Sequence, residues 1–244
     1  MKNVRTTLFV LLMVSLCIPY TIHAAPPVVL GDAEVVPYQH WEFWLSSTYK
    51  KVEDKKALAI PTIEAVYGLL PRVELSLETT YISEKENGDT VEGIDAVATQ
   101  AKLLIVEEKD DRPQATVSLQ YEVPTGGEKE RLEWSDNVWA PSFAVQKHFG
   151  NVLVISQIKN FIDNKWRYGV DVFYKAAKGL KLLGEVYAVD YLHSEKKNEL
   201  NFRLGFKYNF LENAKVYAAA GRSILKAEKN RPELEANAGI MVEF

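Results

Sequence analysis

From residue 34 onward the chain alternates apolar and polar residues with a period of two. Val73, Leu75, Leu77, Thr79 and Tyr81 interleave with Arg72, Glu74, Ser76, Glu78 and Thr80. Phe202, Leu204, Phe206, Tyr208 and Phe210 interleave with Arg203, Gly205, Lys207 and Asn209, and residues 236–244 repeat the pattern at the end of the chain. Successive side chains of a strand point to opposite faces, so this alternation predicts strands with one apolar and one polar face. No segment carries a convincing amphipathic-helix pattern. Twelve strands are expected, over 34–49, 57–68, 72–83, 93–106, 114–123, 136–148, 152–160, 166–175, 180–191, 200–209, 215–225 and 234–244. At 152–160 and 215–225 apolar residues occur on both faces, which leaves the register open. The runs are about twice the mean globular strand and match the roughly 9–11 residues that a tilted strand needs to cross a bilayer.

The connections alternate in character. Residues 68–71, 148–151, 176–179 and 210–214 form short turns, whereas 50–56, 83–92, 124–136, 193–199 and 226–233 read as longer, charged loops. The connections at 107–113 and 160–165 depart from this rule. Short turns at one end and long polar loops at the other are the habit of outer-membrane barrels, and an even strand count puts both termini at the short-turn end.

Periodicity does not say which face is buried, because a soluble barrel also alternates, with its apolar face inward. Three features favour an inverted barrel. Aromatics collect at strand ends, with Trp41, Trp44, Tyr49, Tyr81, Trp139, Trp166, Tyr168, Tyr191 and Phe202 assigned to the loop end. Tyr67, Phe149, Tyr174, Tyr208, Phe210 and Phe244 are assigned to the turn end, so two interfacial girdles are expected. The polar face carries Gly, Ser, Thr, Asn and Gln among its charges, as a crowded lumen would. The chain also closes on an alternating strand ending in Phe244, read as the signal for barrel assembly. The expected fold is all-β: a closed, antiparallel, up-and-down transmembrane β-barrel of about 12 strands.

The start of the chain fits a secretory leader. Lys2 and Arg5 precede the apolar run 8–17, and Ala24 offers a small residue for cleavage, so residues 1–24 are expected to be a signal peptide and 25–244 the barrel. The apolar run is too short for a membrane-spanning helix, and Leu16 before Cys17 does not suit a lipid-attachment site. The destination expected is the cell outer membrane of a Gram-negative bacterium.

Composition narrows the remaining choices. The 244 residues are 47% hydrophobic and 11% aromatic, which excludes a disordered chain. Cys17 is the only cysteine, so residues 25–244 have neither disulfides nor a thiolate centre. Beyond residue 24 there are 27 basic and 33 acidic residues, a formal charge of −6, which argues against nucleic acid as a partner.

The segment 67–77, Tyr-Gly-Leu-Leu-Pro-Arg-Val-Glu-Leu-Ser-Leu, resembles a turn that recurs in the MetA-pathway phenol-degradation family of outer-membrane barrels. Residues 119–126, ending Val123-Pro124-Thr125-Gly126, are similar to the strand-ending Pro-Thr-Gly segment of that family. The resemblance implies a transport-related barrel and carries no catalytic residues with it.

Catalytic and metal chemistry find little support. A barrel hydrolase needs a Ser, a His and an orienting acid or amide at the lipid boundary. His193 and Ser194 are adjacent in a charged loop, His148 is expected at a turn six residues from Ser142, and His40 on the first strand beside Glu42. None has a hydrolase spacing, so no enzyme, cofactor or metal site is expected. Asp110-Asp111, Asp136-Asn137 and residues 86–89 read as solvated acids. Lys129-Glu130-Arg131 and residues 226–231 are candidate contacts to lipopolysaccharide phosphates. The expected partners are outer-membrane lipid, lipopolysaccharide, the barrel-assembly machinery and a small solute of unknown identity.

The polar face holds the most functional content. Its lumen candidates are the acids Glu42, Glu64, Glu74, Glu78, Glu122, Asp171, Glu185, Glu235 and Glu243, with the bases Arg72, Lys102, Arg167, Lys175, Arg203 and Lys207. A porin for acidic sugars would show an arginine-dominated track. This mixture predicts a narrow or partly occluded lumen without strong anion preference. The function expected is passive transport or binding of a small compound, with apolar and aromatic compounds among the candidates. The alternatives are a structural or adhesion barrel acting through its loops and, third, an outer-membrane hydrolase.

Overall fold

In a computed structural model, residues 29–125, 137–192, 198–225 and 231–244 are described. They form twelve antiparallel strands: β1 Trp41–Val52, β2 Lys55–Leu70, β3 Val73–Glu86, β4 Asp89–Val106, β5 Gln114–Pro124, β6 Val138–Phe149, β7 Val152–Phe161, β8 Lys165–Ala177, β9 Leu180–Tyr191, β10 Glu199–Leu211, β11 Ala214–Ser223 and β12 Leu234–Glu243. Each strand pairs with its sequence neighbours, and β12 pairs with β1, so the sheet closes into a barrel. The closing ladder runs from Glu42 opposite Glu243 to Lys51 opposite Leu234. It is continued by Trp41 and Phe244, each of which donates its N–H to the other's carbonyl, at 3.1 and 3.0 Å.

The apolar face points outward. Leu204 is 64% exposed and Phe206 40%, while Arg203 and Lys207 beside them are 1% and 2% exposed. That inversion is sensible only if the outside is lipid, where every backbone polar group must find its partner within the closed ladder. The two open registers resolve the same way. Leu153, Ile155, Gln157, Lys215, Tyr217 and Ala219 turn inward, and Ser156 and Ile158 outward. The interior is therefore not wholly polar: Leu153, Ile155, Phe173, Leu183 and Ala219 pack together inside the barrel.

Three expectations need correction. The first strand does not start at 34. Pro37 has no N–H to give a ladder, the His40 N–H donates to the Pro37 carbonyl at 3.0 Å, and β1 begins only at Trp41. Trp41 and Trp44 consequently lie at the turn end, Trp41 opposite Tyr67, and Trp44 points into the lumen. The loops expected over 50–56 and 83–92 are mostly strand. Asn87 and Gly88 both take positive φ, 53° and 97°, as a two-residue hairpin turn requires. They let β3 and β4 run to 14 and 18 residues. The loops that remain at this end are 125–137, 192–198 and 224–233, parts of which lie outside the described residues, as do the 129–131 cluster, His193, Ser194, Asp136 and the leader.

Labels at 204 and 206 should be quenched by lipid-soluble quenchers and labels at 203 and 207 only by water-soluble ones. Leu204→Arg should impair insertion, since a mid-bilayer Arg costs about 2–4 kcal/mol, whereas water-soluble quenching at all four positions would contradict an inverted barrel. Deleting Phe244 removes the last pair of the closing ladder, and the expected result is a lower yield of heat-modifiable barrel in cells; wild-type yield would deny it a role in assembly.

Candidate functional site

The lumen is occupied by the chain itself. Residues 29–40 precede β1 at the turn end and fold back inside the barrel instead of leaving it. No ladder supports this segment, so its amides must find other acceptors. Side chains of the wall supply them. The N–H groups of Val29 and Leu30 both donate to Glu185 Oε1, at 2.7 and 3.2 Å. Gly31 N–H donates to Gln157 Oε1 at 2.9 Å, Ala33 N–H to Gln146 Oε1 at 3.2 Å and Val36 N–H to Glu74 Oε2 at 2.7 Å. The wall also donates: Gln114 Nε2 bonds the Ala33 carbonyl, and Gln146 Nε2 bonds Glu34 Oε1 at 3.1 Å.

Lys102 fixes the middle of the segment. Its ammonium has three protons and meets three oxygens: Asp32 Oδ1 at 3.1 Å, the Glu34 carbonyl at 2.8 Å and Glu74 Oε1 at 2.9 Å. The base of the segment rests on Gly68. Its N–H donates to the His40 carbonyl at 3.0 Å, and its carbonyl accepts from Gln39 N–H at 2.8 Å. The approach is so close that a Cβ there would lie 1.9 Å from the Pro37 oxygen. Gly68 and Glu74 both belong to the turn motif picked out in the sequence, so that motif is the seat of the segment.

Glu185 joins the segment to the opposite wall. Its Oε2 accepts from Arg203 Nη1 at 3.2 Å, and Arg203 in turn donates to Asn237. Glu235 lies 3.9 Å from Arg203 and takes the Tyr187 hydroxyl at 2.6 Å. Asp171 faces Glu185 across the β8–β9 ladder. Gly221, on the strand beside Arg203, leaves the space that the Arg203 stem crosses, since a Cβ would stand 2.5 Å from its Cγ. Arg203, Glu185 and Asp171 are each at most 1% exposed. Such charges are costly to bury unless paired; the Arg203–Glu185 pair, with Asn237 and Glu235, ties β9, β10 and β12 to the tip of the inner segment.

The remaining lumen candidates fall into place around this core. Glu42 is buried and accepts Trp44 Nε1 at 3.2 Å, and Lys207 sits over the Trp44 ring at 5.6 Å. Glu243 pairs with Lys215 at the turn end. Lys175 reaches the exposed rim at that end. Arg72 lies outside the lumen, in the exposed turn between β2 and β3, where it pairs with Glu107 at 2.8 Å. Glu64, Glu78, Glu122 and Arg167 line a cavity of about 300 Å³ beyond the tip of the segment, together with Lys159 and Phe161. A second cavity, about 180 Å³, separates residues 29–36 from the β1–β7 wall, with Gln100, Ser118 and Ser142 among its lining.

Several contributors were not singled out in the sequence: Asp32, Glu34, Gln114, Gln146, Gln157, Lys159, Tyr187 and Asn237. The amides at 114 and 146 stand at polar-face positions, and that register was the available signal; the open register of 152–160 offered none for Gln157. Among the described residues the hydrolase candidates are otherwise engaged. His40 is exposed and its Nδ1 meets the Tyr38 carbonyl at 3.0 Å, so it belongs to the turn before β1, not to the first strand. Ser142 bonds Ser118 at 2.6 Å. His148 Nδ1 meets Glu108 at 2.8 Å, and its backbone N–H donates to the same carboxylate. Partial burial pushes the Glu108 carboxyl up, but the bonds from His148 and Lys147 outweigh it and hold the group below its usual range. Among the described residues no group of three His, Cys, Asp or Glu is placed to hold a metal ion.

Solved structures share this architecture. An outer membrane channel from Pseudomonas putida F1 is similar over 89% of this chain and all of its own, with a TM-score of 0.64 and 15% identity. The NanC porin is similar over 82% of this chain and 98% of its own, at 0.59 and 9%. The KdgM porin, in complex with disordered oligogalacturonate, is similar over 84% and 99%, at 0.57 and 11%. At these identities the likeness is one of fold. No curated protein matches the sequence. The family model described as "Putative MetA-pathway of phenol degradation" matches residues 29–238, from the tip of the lumenal segment to the closing strand, and the chain belongs to that family.

Proposed function

We propose that the protein is a passive channel of the outer membrane for small organic solutes, with residues 29–40 acting as its constriction. The observation that carries this reading is how the segment is held. Wall side chains bond it one amide at a time, and no backbone ladder extends along it. Side-chain bonds of this kind contribute about 1–3 kcal/mol net each, the larger values for the carboxylates, and none of them belongs to the strand ladder, so the segment can shift within the lumen without unzipping the barrel. A structural barrel gains nothing from a polar interior with cavities on two sides of an inner strap. The solved relatives include a channel and porins, which supports transport. The family description points to aromatic compounds as one class of solute.

Gly68→Ala tests the constriction directly. The added methyl group would collide with the Pro37 carbonyl, while the strand ladder stays available to alanine. The variant should remain heat-modifiable and show a larger unit conductance in planar bilayers than the parent protein. Equal conductance in a folded variant would mean that residues 29–40 do not limit the pore, and absence of any conductance in both proteins would end the channel reading.

A further inference from the structure

The larger cavity has an arrangement that transport alone does not require. On one wall Glu64 of β2 and Glu78 of β3 are direct cross-strand partners. On the other, Lys159 of β7 and Arg167 of β8 are direct cross-strand partners too. All four line the same space of about 300 Å³. Like charges placed opposite each other on neighbouring strands repel, and here two such pairs, of opposite sign, face one another from nearly opposite sides of a twelve-strand ring.

The cationic wall is concentrated further. Lys159, Lys165 and Arg167 surround the buried Phe161 ring at 5.1, 5.1 and 5.0 Å. The Nε of Arg167 is buried and has no hydrogen-bond partner among the described residues. A buried donor without an acceptor costs free energy, and a ligand oxygen would relieve it. An ammonium group set between Glu64 and Glu78 would relieve the repulsion on the other side. We infer that this cavity is a binding site for a small zwitterion of the amino-acid type, its ammonium held by Glu64 and Glu78 and its carboxylate by Arg167 and Lys159. The inference rests on the channel reading for its biological use, but the binding itself does not depend on conduction.

Calorimetry on the full barrel in detergent separates the two. The probes are phenylalanine, 3-phenylpropionate and phenethylamine, which share a ring and differ in the charged groups retained. Phenylalanine should bind about tenfold more tightly than either relative, the loss expected for one charge-assisted contact worth about 1.4 kcal/mol. The Glu64→Gln/Glu78→Gln double variant should lose the advantage of phenylalanine over 3-phenylpropionate. The Lys159→Gln/Arg167→Gln double variant should lose its advantage over phenethylamine. Heat-modifiable mobility on gels checks that each variant is folded, and the three-probe comparison on the parent protein stands even if a variant fails to assemble. Equal affinities for the three probes, no binding of phenylalanine, or an unchanged ranking in both folded variants would overturn the inference. Selective binding without bilayer conductance would leave the site standing and remove the channel reading.

Discussion

The backbone amides of the membrane-spanning wall and of the lumenal segment have to be satisfied away from bulk water, and two different solutions to that requirement organise the molecule. In the wall the solution is the closed ladder, because hydrocarbon offers no acceptor. The pairing of β12 with β1 is what makes it complete. Inside the lumen, residues 29–36 meet the same requirement without a ladder, through Glu185, Gln157, Gln146 and Glu74. The first solution is cooperative and encloses the barrel. The second is a set of separate contacts, each replaceable by water.

The lumenal charges follow from this division. Lys102 draws Asp32 and Glu74 to one point and so binds the inner segment to β3 and β4. Arg203 holds Glu185 in place to receive two amides of the segment, and leans on Glu235 and Asn237 two strands away. Paired in this way the buried ions avoid the penalty of isolated charges. The pairs at Glu64–Glu78 and Lys159–Arg167 are not arranged like this, since each places like beside like. Asp171 opposite Glu185 is a third pair of this kind, but Glu185 there meets Arg203 and the strap, whereas the other two pairs border an open cavity.

Most of the wall was legible in the sequence, because a period of two is a direct consequence of strand geometry. The strand count and the turn-end location of Phe244 follow from it, while the inverted faces come from the aromatics at strand ends, the mixed polar face and the terminal Phe244. The start of β1 was not legible. Residues 34–40 continue the alternation well enough to pass for strand, and only the missing N–H of Pro37 and the close seat at Gly68 reveal that the chain has left the wall. The error carried Trp41 and Trp44 to the wrong end of the barrel. The charged hairpins at 50–56 and 83–92 read as loops because charge is common to loops and to strands that rise above a membrane. The turn motif around Gly68 and Glu74 was visible as a resemblance, but its purpose depends on residues 29–40 lying against it, a long-range contact that no local pattern encodes. The same holds for the opposed charge pairs, since alternation gives their face and only the ring order of strands gives their juxtaposition.

The central claim is that residues 29–40 occupy the lumen and set its width. Cys17 is the one cysteine of the sequence, so a Gly31→Cys/Gln157→Cys pair introduced together with Cys17→Ser has no competing thiol. These positions are adjacent, with the Gly31 amide 2.9 Å from the Gln157 oxygen. The pair is expected to be bridged in the folded barrel by a short bifunctional thiol reagent that forms reducible disulfides, and the crosslinked channel to conduct less and fluctuate less than the same molecule after reduction. A folded barrel that does not crosslink, or one that crosslinks with unchanged current, would contradict the central claim.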